Sequence, residues 1–146
     1  MILSIPWLII SVILYNLIAF TSGWPEVDPA TGKLVAGTVF HSELFSIGMI
    51  SGAYWALTLG DLMVLITLAI LFVELIKATR TGETSIVDHA LSMILFIFCV
   101  VEFLVVRQAA TSVFFIITAV TLIDVVAGFT ITIRAARRDF TMGATH

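Results

Sequence analysis

Four apolar runs, each close to twenty residues long, constrain this chain more than any other feature. They cover residues 2–20, 58–76, 86–106 and 113–133. A helix needs about 20 apolar residues to cross a hydrocarbon core of about 30 Å. The chain has 146 residues, of which 60% are hydrophobic and 12% charged, and its mean hydropathy is +1.16. A soluble domain carries about a quarter charged residues and has nowhere to put this much apolar surface, so the excess calls for lipid. The first run lacks the basic start and A-x-A-like cleavage site of a secretory signal and is read as a transmembrane helix. The expected fold is an all-α membrane protein with four transmembrane helices in an antiparallel bundle, forming one membrane domain over residues 1–146.

The sparse charges set an expected orientation. Lys77, Arg80, Arg134, Arg137 and Arg138 fall on one side of the four runs, and Lys33 and Arg107 on the other. Basic residues gather on the cytoplasmic side, which predicts cytoplasmic N- and C-termini and an outside loop at residues 21–56. Trp7, Trp24, Tyr54 and Trp55 lie near the predicted span ends, where interfacial aromatics sit. The net charge is −3 with seven Lys and Arg, so no surface is basic enough for nucleic acid. The lone Cys99 lies in an apolar run, which excludes a disulfide framework and a Cys-based metal site. Loops of six to ten residues make spans two, three and four consecutive antiparallel neighbours.

The outside loop divides in two. Asp28-Pro29-Ala30-Thr31-Gly32-Lys33 carries turn chemistry, with Val27 before it and Leu34, Val35, Val39 and Phe40 after it suited to two short strands. A short extracytoplasmic β-hairpin is predicted there. From Ser42 to Trp55 the pattern is apolar, with Leu44, Phe45, Ile47, Met49 and Ile50 broken by Gly48 and Gly52. It is too short to span, so an amphipathic interfacial or re-entrant segment is expected.

Acids in an apolar run are costly and draw attention. Thr58-Leu59-Gly60-Asp61 and Ser85-Ile86-Val87-Asp88 fit the capping box that opens a helix, so Thr58, Asp61, Ser85 and Asp88 are read as caps. Glu74 lies one turn before Lys77, which makes a local ion pair its structural reading. Glu102 and Asp124 are the stronger candidates. Glu102 shares one helical stripe with Asp88, Ser92 and Cys99. Asp124 is ten residues before Arg134, about 15 Å along a helix, and lies near the predicted midplane. Thr121, Asp124, Gly128 and Thr132 share a face, with Thr118 at its edge; small and hydroxylated residues let membrane helices approach closely. The alternatives for Asp124 are a hydrogen-bonded clamp, or a carboxylate that handles protons, ions or a ligand.

The histidines point nowhere in particular. His41 and His89 are predicted on opposite sides of the membrane, which disfavours a haem held by two histidines, and His146 is the last residue. No phosphate-binding glycine loop, nucleophile elbow or H-E-x-x-H motif is present, and no cofactor is expected. At Leu59-Gly60-Asp61, Thr79-Arg80-Thr81-Gly82, Ser85-Ile86-Val87-Asp88-His89-Ala90 and Ala110-Thr111-Ser112-Val113-Phe114-Phe115, the chain resembles a group of small four-span bacterial membrane proteins with no assigned activity. That resemblance implies a bacterial cytoplasmic membrane and carries over no site residues. The leading expectation is a non-catalytic accessory or structural subunit of a larger membrane complex. Its partners would be the lipid bilayer and a membrane protein or further copies of itself. The alternative is a small oligomeric proton or ion transporter using Glu102 and Asp124. A third is an enzyme acting on a lipid or quinone through His89, Asp88, Lys77 and Arg80.

Overall fold

A computed structural model describes residues 5–79 and 85–143. The chain is mostly helical, with four helices: α1 (Leu8–Thr21), α2 (Leu59–Ala78), α3 (Ser85–Val105) and α4 (Ser112–Gly143). The stretches Leu59–Ala78, Val87–Val105 and Ser112–Ile131 are long and apolar enough to cross a membrane. Helix α1 is shorter, at 14 residues, or about 21 Å. Pro6 explains its late start, because the residue before a proline is pushed away from helical angles. The residues of the first apolar run before Ile5 lie outside the described part.

Between α1 and α2 the chain makes two small hairpins, so the protein is not purely helical. The first pairs β1 (Glu26–Val27) with β2 (Leu34–Val35), as the turn residues predict. Asp28 builds the turn: its Oδ1 accepts from the Ala30 N–H at 2.9 Å and its Oδ2 from the Thr31 hydroxyl at 2.7 Å. Gly32 supplies the left-handed residue at φ +66°. Val39 and Phe40, expected in the second strand, lie instead in a 3₁₀ turn, Thr38–His41. Gly37, at φ +70°, breaks the strand before them. Phe40 swings inward, is buried, and stacks on Tyr15 with ring centroids 4.6 Å apart.

The second hairpin gives the apolar segment from Ser42 to Trp55 its structure. β3 (Glu43–Gly48) pairs with β4 (Tyr54–Thr58). The period is two: Phe45 faces Leu57 and Ile47 faces Trp55 on one side, while Ser46 pairs with Ala56 and Gly48 with Tyr54 on the other. Met49 N–H donates to the Ala53 carbonyl and Gly52 N–H to that of Met49. Gly52 at φ +85° closes this turn. Of the two glycines in the segment, Gly48 ends β3 and Gly52 makes the turn.

β4 runs directly into α2, and Thr58 is the junction. Its hydroxyl accepts from the Asp61 N–H at 3.1 Å, and Asp61 Oδ2 accepts from the Thr58 N–H at 3.0 Å, a complete capping box. Helix α4 is the organising element. It packs against both α2 and α3, and more lightly against α1, whereas α2 and α3 share little contact among the described residues. Spans two, three and four are therefore not consecutive neighbours as the short loops suggest. α2 and α4 run parallel, and α3 runs antiparallel and lies mainly on α4. The core joins Leu8, Val12 and Tyr15 of α1 to Met63 and Leu71 of α2, Leu95 and Cys99 of α3, and Phe114, Ile117 and Val120 of α4.

Candidate functional site

Polar groups converge at three levels along the helices. The first is at the end away from the hairpins, where α1 begins and α2 ends. Glu74 is only 4% exposed. Its Oε1 accepts from Lys77 Nζ at 2.7 Å, the predicted one-turn pair. Its Oε2 accepts from the Trp7 backbone N–H at 3.2 Å, and Lys77 Nζ also donates to the Ile5 carbonyl at 3.2 Å. The first N–H groups of a helix have no partner within it and carry the positive end of its dipole. Glu74 thus serves as a cap for α1 supplied from another helix, and Lys77 balances its charge.

The second level is set by Asp124, about 18 Å along α4 from Ser112 and 4% exposed. Ser92 of α3 donates to its carboxyl, and Glu74, Lys77 and His89 lie within electrostatic reach. One turn toward the hairpins, the buried Thr121 hydroxyl donates to the Thr118 carbonyl at 2.7 Å. That uses its one proton, so in its contact with Cys99 it accepts from the thiol. One turn the other way, His89 lies on Gly128. A Cβ there would come within 2.5 Å of the ring Nδ1 and 2.6 Å of Cε1. The imidazole also tilts against Phe129, at 5.4 Å between centroids.

The third level joins α1 to α3. Glu102, 6% exposed, faces the Asn16 side chain. Glu102 Oε2 and Asn16 Oδ1 are both buried without a hydrogen-bond partner among the described residues. Nearby, the Tyr15 hydroxyl donates to the Gln108 carbonyl at 2.9 Å and lies 2.6 Å from Thr111 Oγ1. Those bonds tie α1 to the loop before α4.

Most of the expected stripe residues that are described are buried, with His89 beside them. His89, Ser92, Cys99 and Glu102 of α3, and Thr118, Thr121, Asp124 and Gly128 of α4, are buried. Asp124 and Glu102 do not meet each other: Asp124 turns to Ser92 and Glu102 to Asn16. The side chains of Ser85 and Thr132 lie outside the described residues. Ser85 lies within α3 rather than ahead of it. Asp88 is half-buried, with its Oδ1 unpartnered among the described residues. His41 is exposed on its 3₁₀ turn.

Sequence reasoning missed Asn16 and Tyr15. Their signal was present, since an amide within the first apolar run is as conspicuous as a carboxylate in a later one. Among the described residues no three of His, Cys, Asp or Glu converge as metal ligands would. Comparison with protein-family models, curated proteins and solved structures finds no match to the chain.

Proposed function

We propose that this chain spans the bacterial cytoplasmic membrane four times, with both ends in the cytoplasm, and serves as a non-catalytic subunit of a larger membrane complex. Three helices are long enough to cross by themselves. α1 runs beside them from Glu74, near one end, to Gln108 and Thr111 at the other, which supports counting it as the fourth. Lys77 and Arg134 lie at the end assigned to the cytoplasm.

The observation that carries the assembly reading is the β3–β4 hairpin. Phe45, Ile47 and Trp55 form an apolar face with about half of each side chain exposed, and Met49 and Ile50 at its tip are open. No charge occurs between Glu43 and Asp61, so nothing guards its strand edges in the usual way. Among the described residues its main helix contact is with α2, at the junction. A two-stranded hairpin is at best marginally stable in water, and an exposed apolar face with free edges suits a protein partner outside the membrane.

The test places a photo-crosslinking residue at Ile47 in native membranes, followed by mild-detergent purification and mass spectrometry. One larger membrane protein, crosslinked and recovered in stoichiometric amount, is the expected result. A lone, uncrosslinked protein counts against the proposal.

The burial of Asp124 near mid-span, close to His89 and Glu74, favours a second reading: a small oligomeric proton or ion transporter. That reading requires flux in proteoliposomes that Asp124→Asn abolishes. Silence of the wild type under proton, sodium and potassium gradients removes it.

A further inference from the structure

The two edges of the β3–β4 hairpin differ. β4 runs into α2, buries Leu57 and gives its Thr58 N–H to Asp61. β3 is exposed along all six of its residues. The turn fixes where its backbone groups point. Met49 N–H bonds to the Ala53 carbonyl, and bonded and non-bonded pairs alternate along an antiparallel ladder. Ile47 with Trp55 and Phe45 with Leu57 are therefore the bonded pairs inside the hairpin. Ser46 and Gly48 turn their N–H and C=O groups outward, away from β4. The register shift between Glu43 and Phe45 ends the regular ladder at one end, and the turn at Met49 ends it at the other. The regular edge thus runs from Phe45 to Met49, with Ile47 at its centre.

We propose that this edge binds a second copy of the chain, β3 pairing antiparallel with β3 of the copy about a two-fold axis at Ile47. Ser46 of each chain then exchanges N–H···O=C bonds with Gly48 of the other. The side chains suit that register. On one face Ser46 meets Gly48, so nothing bulky keeps the two backbones apart. On the other face Ile47 meets Ile47 at the axis, and Phe45 meets Met49 on either side of it. Cross-strand apolar pairs of this kind are what stabilise a sheet.

Charge favours the same arrangement. β3 carries a single charged residue, Glu43 at its start. Parallel pairing would set the two Glu43 side chains next to each other. Antiparallel pairing about Ile47 holds them about eight residues apart, roughly 27 Å, beyond a Debye length of about 8 Å. Symmetry favours it too. Two copies in one bilayer present this hairpin on the same side, related by an axis along the membrane normal. A strand lying across that axis meets its copy antiparallel, through the same residues on both chains. The inference rests on membrane embedding and uses the edge of the hairpin. The apolar face assigned to a larger partner stays open, and pairing sets two such faces side by side.

The test is disulfide trapping of the full chain in native membranes, with single cysteines along β3 and dimer read on non-reducing gels. Cys99 is buried, so the unaltered chain is the blank. Ile47→Cys should trap best, because residues of a non-bonded pair stand with Cα atoms about 4.5 Å apart, within the roughly 4.4–6.8 Å that a disulfide spans. Phe45→Cys and Met49→Cys each lie about 14 Å from their own copies and should trap roughly tenfold less. Ser46→Pro, added to Ile47→Cys, removes an outward N–H and no bond within the hairpin, and should lower the yield roughly tenfold. No dimer, equal yields along β3, a maximum away from Ile47, or a yield that Ser46→Pro leaves unchanged overturns the proposal. A trapped dimer without a larger protein supports it and counts against the assembly reading alone. A larger protein without the dimer does the reverse.

Discussion

Gly128→Ala offers a test in which two opposing effects can be weighed. In a helix interior, alanine is favoured over glycine by about 1 kcal/mol, so on propensity alone the change stabilises α4. The packing says otherwise. The new Cβ would stand 2.5 Å from His89 Nδ1 and 2.6 Å from Cε1, closer than real Cβ atoms come to any neighbour. The ring has little room to yield, since His89 is buried and held against Phe129. Overpacking of this kind costs about 1–3 kcal/mol, so the single variant should lose up to about 2 kcal/mol net. The decisive comparison is made in a His89→Ala background, where the ring is gone. There Gly128→Ala should be neutral or stabilising by up to about 1 kcal/mol, giving a coupling of about 1–3 kcal/mol. Reversible unfolding in mixed micelles, followed by far-UV circular dichroism, measures all four proteins. If Gly128→Ala is equally damaging with and without the imidazole, the close approach of α3 to α4 at this point is wrongly described.

Three other outcomes are expected. Lys77→Met strands a buried carboxylate and should cost about 3–5 kcal/mol, most of it recovered by Glu74→Gln in the same chain; the same unfolding assay tests the recovery. Tyr15→Phe removes the bonds to Gln108 and Thr111 and should cost about 1–2 kcal/mol, with hydrogen exchange rising in the loop before α4. The first hairpin should depend on acid. Bonds from the Thr31 hydroxyl and then the Ala30 N–H hold the Asp28 carboxyl below its ordinary 3.8. A depressed carboxylate stabilises the turn above that ordinary value, and the contribution is lost as pH falls through the lower folded value. Amide exchange at Ala30 should accelerate below about pH 4 and lose this dependence in Asp28→Asn.

What could be read from the sequence was whatever is local. The apolar runs, the Thr58–Asp61 box, the Asp28 turn and the Glu74–Lys77 pair each depend on residues within a few positions of one another. The β3–β4 hairpin was hidden because Leu44, Phe45, Ile47, Met49 and Ile50 fit an apolar interfacial segment as well as one strand; the pairing of Phe45 with Leu57 and Ile47 with Trp55 decided it. The partners of the candidate carboxylates were hidden for a different reason. Trp7 engages Glu74 through its backbone N–H, which no side-chain pattern reveals. Asn16 meets Glu102 across helices whose adjacency follows from α4 taking both α2 and α3, a choice that loop lengths do not dictate.

The seating of α1 also has a consequence for synthesis. Trp7 waits for a partner 67 residues later in the chain, and Tyr15 for ones 93 and 96 residues later. A ribosome makes the first helix first, at roughly 5–20 residues per second, so for several seconds it has neither its cap nor its tyrosine anchor. The helix made earliest is thus held at both ends only once the loop before α4 is made, and a chain cut short after α2 would hold it at one end only.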